Sequence, residues 1–285
     1  MAGEVFGADQ WFVWDVTTGV AWKPLGIVTG GDGATIENQE RTRGGAGGLS
    51  TQIKTEGLID YPGDITAILT PAGAPILKHL IDTPAALALG GDVGFGVEVH
   101  DPARPTSVSV SLGVDQPLTL SFSWLGKHKA AALPSAEVAL VDQWHWEDFT
   151  GEVDIDGACL GIQSVTFNYT YATQYSDDVC VRAVGSKREH RDLCYVGLTD
   201  VTVDVELLDP PAVNDRADVM ASNIVVTAKV TNNAVAPTTV TIKQKGMRWT
   251  GKAARSYQSR DSLVTWSRTL SYRFLSDAVA SVTIT

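Results

Sequence analysis

The sequence predicts a mainly β protein: two similar β-sandwich or partial-barrel domains in tandem, residues 1–142 and 143–285, each with one short flanking α-helix and a long hairpin loop. Three observations predict it. Apolar and polar residues alternate along several segments, short blocks recur in the same order in both halves, and helical periodicity is confined to two short stretches. A chain of 285 residues allows about two domains of ordinary size, and its 44% hydrophobic content is enough for two cores.

The repeat sets the order of elements. Trp11 and the run Leu25, Gly26, Ile27 return 135 positions on as Trp146 and Leu160, Gly161, Ile162. Gly57, Leu58, Asp60 and Asp64 return 140 positions on as Gly197, Leu198, Asp200 and Asp204. Trp124 to Lys127 returns 125 positions on as Trp249 to Lys252. Loops that lengthen and shorten between duplicated elements produce this drift of offset. The strand bearing Asp60 and Asp64 is expected to be interrupted at Pro62 and Gly63, because proline cannot donate to a sheet ladder. A helix follows over Ala72–Ile81, entered at Pro71. Period-two alternation then marks strands at Thr106–Leu112 and Leu118–Trp124. Residues Ala130 to Gln143 link the halves. In the second half, Val165, Phe167, Tyr169 and Tyr171 alternate with Thr166, Asn168 and Thr170, and Val201, Val203, Val205 and Leu207 alternate with polar residues. Half-buried antiparallel strands read this way. A second helix is expected over Ala212–Ala221 after Pro210 and Pro211, and a last long strand over Val240–Trp249.

One loop in each half carries glycine or charge at a hairpin tip, Glu40–Leu49 with Arg41, Arg43, Gly44 and Gly48, and Arg182–Arg191 with Lys187 and Arg188. Such a tip makes an arm that orders on a partner. A glycine-rich phosphate cradle is the alternative for the first loop, but no Lys-Ser or Lys-Thr closes it. The three cysteines Cys159, Cys180 and Cys194 are odd in number and confined to the second half, which points to buried free thiols, with a Cys180–Cys194 pairing as the alternative. No run approaches the roughly 18 apolar residues of a membrane span, and Met1 to Glu4 begins without a basic, apolar leader, so a soluble protein made in a cytoplasm is expected.

Charge is uneven. Residues 1–142 hold 8 basic and 16 acidic groups, net −8, and residues 143–285 hold 14 and 17, net −3. Lys243, Lys245, Arg248, Lys252, Arg255, Arg260, Arg268 and Arg273 face one acid, Asp261, between positions 243 and 273. With Trp249, Tyr257, Trp266 and Tyr272 interleaved, nucleic-acid binding is one reading. The whole-chain charge of −11 opposes it, and contact between complementary subunits through Lys243, Lys245, Arg248, Trp249, Lys252 and Arg255 is the simpler one.

Two related sandwiches, each with a flanking helix and a long hairpin loop after its second strand, resemble the duplicated tail tube proteins (major tail proteins) of some long-tailed bacteriophages. The resemblance rests on layout and the internal repeat. It implies a virion structural protein assembled in the host cytoplasm, in rings of three chains with pseudo-sixfold symmetry stacked into a tube. Neighbouring sheets would join edge to edge around a lumen, and the loops at 41–48 and 182–191 would reach the next ring. Partners would be further copies, a tape measure protein and tail-end or terminator proteins, with DNA passing transiently and no membrane or cofactor involved. In that frame Asp60, Asp64, Asp200, Asp204 and Glu206 are expected to line the lumen, where negative walls repel phosphate. A solvated outer face is the alternative.

Enzyme readings find little support in the sequence. His79, His100, His128, His145 and His190 lack ligand spacing to one another or to Cys or carboxylate groups. His145, Glu147 and Asp148 read as a polar turn before a strand, and Glu152, Asp154 and Asp156 lack the rest of a calcium loop. No Gly-x-Ser-x-Gly elbow is present. Of the eight tryptophans, Trp11, Trp14, Trp22, Trp144 and Trp146 cluster near the starts of the halves. Exposed there, they would suit a glycan-binding or adhesin module, the rival reading. Their recurrence favours core or interface anchors.

Overall fold

The computed structural model describes residues 11–16, 21–34, 37–43, 53–92, 97–128, 146–155, 158–175, 193–207, 223–256 and 265–285. The first half contributes β1 (Trp11–Asp15), β2 (Lys23–Pro24), β3 (Gly26–Ala34), β4 (Glu37–Arg43), β5 (Ile53–Leu69), β6 (Leu87–Asp92), β7 (Val97–Gly113) and β8 (Gln116–His128). The second contributes β9 (Trp146–Ile155), β10 (Ala158–Tyr175), β11 (Leu193–Leu207), β12 (Ile224–Asn232), β13 (Thr239–Ser256), β14 (Thr265–Tyr272) and β15 (Ala280–Ile284). The chain is mainly β, as its alternation predicts. Every predicted strand in the described residues lies inside one of these elements.

All pairings are antiparallel. In the first half β3 pairs β5, β5 pairs β8, β8 pairs β7, β7 pairs β6 and β6 pairs β1. In the second half β10 pairs β11, β11 pairs β14, β14 pairs β13, β13 pairs β12, β12 pairs β9, and β9 returns to β10. The two runs are spliced where Ser164–Thr170 of β10 pairs with Ser107–Gly113 of β7. The result is one continuous 15-stranded sheet system.

Alternation places the core. Val108, Val110 and Leu112 of β7, Val165, Phe167 and Tyr169 of β10, and Val201, Val203 and Val205 of β11 are all buried and meet across the ladders. Each such side chain removed from water contributes about 1.5–3 kcal/mol. The buried side chains form one cluster across both halves. Polar tips of second-half aromatic rings reach first-half backbone: Trp146 Nε1 donates to Leu69 O at 2.8 Å, Tyr171 Oη to Leu80 O at 2.5 Å, and Tyr175 Oη to Gly126 O at 3.0 Å. These bonds satisfy groups that burial would otherwise leave costly.

Several expectations change. Pro62 and Gly63 do not interrupt β5, which is paired through both residues with Leu125 and Trp124 of β8. On the opposite edge β5 changes partner at this point, from β4 at Asp60 to β3 at Gly63. Pro62 therefore sits at a seam where a missing N–H costs the ladder little. The first helix is shorter than Ala72–Ile81: residues 71–75 are turns, and the helical part ends in a π-helix over Lys78–Asp82 with Leu80 and Ile81 buried. Arg41 and Arg43 belong to strand β4, opposite Thr55 and Ile53, not to a loop. Cys159 and Cys194 are exposed free thiols, not buried ones, and Cys180 lies outside the described residues. The expected helix at 212–221 and the linker at 130–143 also lie outside them.

Candidate functional site

The feature that stands out is the face of the sheet opposite the core. Since neighbours along a strand point to opposite faces, burying Ile65, Phe122, Val108, Phe167 and Val203 sends the residues between them outward together. Register aligns those residues into rows. Asp64, Ser123, Ser107, Thr170 and Asp200 stand opposite one another across β5, β8, β7, β10 and β11. The next row is Thr66, Ser121, Ser109, Asn168, Thr202 and Ser271, and the next Ile68, Thr119, Ser111, Thr166, Asp204 and Thr269. Both rows run on into β14, and the one through Ser271 continues to Arg248 of β13 at its far end.

The hydroxyls bond to each other. Thr66 Oγ1 donates to Ser121 Oγ at 3.0 Å, and Ser111 Oγ and Thr166 Oγ1 are 3.0 Å apart. Ser109 Oγ donates to Asn168 Oδ1 at 2.8 Å. The carboxylates close the chains as acceptors. Asp204 takes Asn168 Nδ2 at 3.1 Å on one oxygen and Thr269 Oγ1 at 2.6 Å on the other, and Glu206 takes Ser164 Oγ at 3.2 Å. Cross-strand pairs of this kind each contribute roughly 0.2–1 kcal/mol. Two of them, Ser109 with Asn168 and Ser111 with Thr166, bridge the β7–β10 splice. The face is thus a net-negative surface on which several donors, those of Thr66, Ser109, Asn168 and Thr269 among them, are engaged within it.

The structure places the five acids singled out from sequence on one face, in two groups on β5 and β11 with β8, β7 and β10 between them. Asp64, Asp200 and Asp204 stand in the rows, Glu206 opposite Ser164 just beyond them, and Asp60 shares the outward alternation of β5. The basic segment is less uniform. Lys245 and Arg248 are exposed and Lys243 half-buried, whereas Trp249 is 6% exposed and packs its ring in the chain's own core with the Arg268 guanidinium 4.9 Å away. Lys252 and Arg255 lie on β13. Gly44, Gly48, Arg182, Lys187, Arg188 and Arg191 lie outside the described residues. The hydroxyls of β7 and β8 were not singled out from sequence, although the Ser-Val alternation at 107–111 signals them.

Other candidates resolve as packing. Trp14, Trp124 and Trp146 are buried at 6% exposure or less, so these rings form no stacking platform. His79 lies against Trp14 with ring centroids 5.8 Å apart, its pKa lowered by burial and by Lys23 and Lys78. Burial holds the phenols of Tyr169 and Tyr171 far above their ordinary range, and raises that of Tyr175 to about 12. Glu147, Asp148 and Glu152 stand exposed on β9 itself rather than in a turn before it. Among the described residues no three His, Cys, Asp or Glu side chains are grouped to hold a metal ion.

Fold and face together define a mainly β chain built on a spliced antiparallel sheet, apolar on one side and hydroxyl-rich and acidic on the other. No protein-family model matches the chain, and no curated protein does.

Proposed function

We propose that this chain is a structural protein that assembles with copies of itself into rings, stacked as a phage-type tail tube, with the hydroxyl-and-acid face turned to the channel. One observation carries the reading: that face runs without a break from one half of the chain into the other through the β7–β10 splice. A conduit for a polyanion needs a wall that is wetted, negative and short of free donors. Carboxylates repel phosphates, and hydroxyls already bonded to one another have less to offer a passing strand. DNA, a tape measure protein and tail-end proteins are the partners this reading requires.

The same reading takes the chain as two copies of one unit. The strand order β3-β5-β8-β7-β6-β1 corresponds, position by position, to β10-β11-β14-β13-β12-β9. Trp11 opposite Asp92 and Trp146 opposite Asn232 occupy equivalent rungs, 135 and 140 positions apart. In this scheme β8 is equivalent to β14 and β7 to β13, so the likeness of Trp124 and Trp249, on β8 and β13, is coincidental. Negative-stain electron microscopy across a protein and salt series, with the mass of the smallest species measured alongside, tests the proposal. Hollow tubes or three-chain rings support it. A monomer under every condition, including after seeding with preformed tail ends, refutes it.

A further inference from the structure

The splice inside the chain has two unused halves. Ala103 of β7 pairs Leu87 of β6 on one edge and Gly126 of β8 on the other. Beyond it β6 has ended while β8 continues, and the vacated edge, Ser107–Gly113, is filled by β10. The geometry recurs on β13. Met247 pairs Ile224 of β12 on one edge and Tyr272 of β14 on the other. Beyond it β12 has ended while β14 continues to Ser256, and among the described residues no strand takes the vacated edge from Arg248 onward. The complementary half is on β3. It pairs β5 across one edge as β10 pairs β11, and among the described residues no strand pairs its other edge.

We propose that the vacated edge of β13 in one copy pairs antiparallel with β3 of the next copy, reproducing between chains the β7–β10 joint within each. The inference rests on the self-assembly reading and names its contact. Three observations select a second copy as the occupant. Open edges recruit strands, and here the two edges are the missing partners of one joint already built in the chain. The segment 243–256 carries five cations, Lys243, Lys245, Arg248, Lys252 and Arg255, and no acid, whereas β3, 26–34, carries Asp32 and no cation, and Glu37 follows at the start of β4. Opposite charges of this kind steer and register association. The hydroxyl row through Thr66 also begins at Gly30 on β3 and ends at Arg248 on β13, so the joint would carry the polar face from one copy to the next. Such a contact is head-to-tail, and repeated it closes a ring when the rotation returns to the first copy, the alternative being an open filament.

Disulfide scanning tests this on the full chain with Cys159, Cys180 and Cys194 replaced by serine. In the register of the β7–β10 joint Ser256 meets Gly33 and Thr250 meets Glu37, so Gly33→Cys is combined in turn with Ala254→Cys and Ser256→Cys, and Glu37→Cys with Thr250→Cys, and assemblies are oxidised and resolved without reductant. The expected result is a ladder of linked chains ending in a closed species for at least one pair, and none for any single cysteine. Linked dimers from a β13 cysteine alone would mean a two-fold β13–β13 contact and overturn the joint. Particles that assemble but link at no pair would overturn the joint and leave self-assembly standing. A serine-substituted parent that stays monomeric while the native chain assembles is replaced by single-pair variants in the native background. A native chain that is itself monomeric fails the self-assembly reading first.

Discussion

Tyr175 offers a sharp test of how the two halves are held together. Its hydroxyl sits in a rung of the first-half ladder: the Tyr61 N–H donates to Tyr175 Oη at 2.6 Å, and Tyr175 Oη donates to Gly126 O at 3.0 Å, while Tyr61 and Gly126 are themselves ladder partners. Tyr175→Phe keeps the ring and removes both bonds. If the rung closes directly, the loss is about 1 kcal/mol. If the buried N–H is left unmet, it reaches about 3 kcal/mol. At about 2–4 °C per kcal/mol for a domain of this size, the melting temperature at pH 8 should fall by several degrees. The pH dependence follows from the raised phenol. Burial lifts the folded-state pKa to about 12, against the ordinary value of 10.0. A group whose folded pKa is raised contributes stability that is fully present below the unfolded value and lost as pH climbs through the folded one. The native chain should therefore lose its advantage over Tyr175→Phe between about pH 10 and pH 12. Melting both proteins by circular dichroism from pH 8 to 12 reads this out. A gap that is absent at pH 8, or constant across the alkaline window, refutes the bridging phenol.

Trp146→Phe removes the indole bond to Leu69 O and part of a buried ring; urea midpoints should report a loss of about 2–4 kcal/mol, and an unchanged midpoint would deny the contact. Gly246 has φ +75, and a Cβ there would stand 2.1 Å from Asp277 O, whereas nothing lies within 4 Å of a Cβ at Gly161. Gly246→Ala should cost more than about 2 kcal/mol, with Gly161→Ala within about 0.5 kcal/mol of the native chain by thermal melting. Reversing Asp200 and Asp204 to lysine should leave assembly intact but impair DNA delivery, scored as infectivity of assembled particles. Unimpaired delivery would rule out a channel role for these acids.

The core was legible wherever the signal is local. Val201, Val203, Val205 and Leu207 alternate in sequence, and all four are buried. The same parity put Asp200, Asp204 and Glu206 on one face without any knowledge of neighbours. What failed was set by partners. Pro62 looks like a strand breaker because a missing N–H matters inside a ladder, yet the switch from β4 to β3 at that point depends on chain lying outside β5. The cysteines at 159 and 194 are themselves exposed on β10 and β11, opposite Asp154 and Gln174, and residue type alone suggested the reverse. The splice of β7 to β10 was illegible, since segments some fifty residues apart carry no local mark of their mutual register. It is the splice that turns two runs of serine and threonine into one surface.

The splice also changes what the covalent linker is for. Val108 and Val110 meet Tyr169 and Phe167 across it within the shared core, so the halves are held by folding as well as by the connecting chain. Residues 1–128 and 146–285 produced as separate polypeptides should then find each other and complement, as fragments of a split protein do. The tether would serve chiefly to fix their ratio at one to one and to spare them the search.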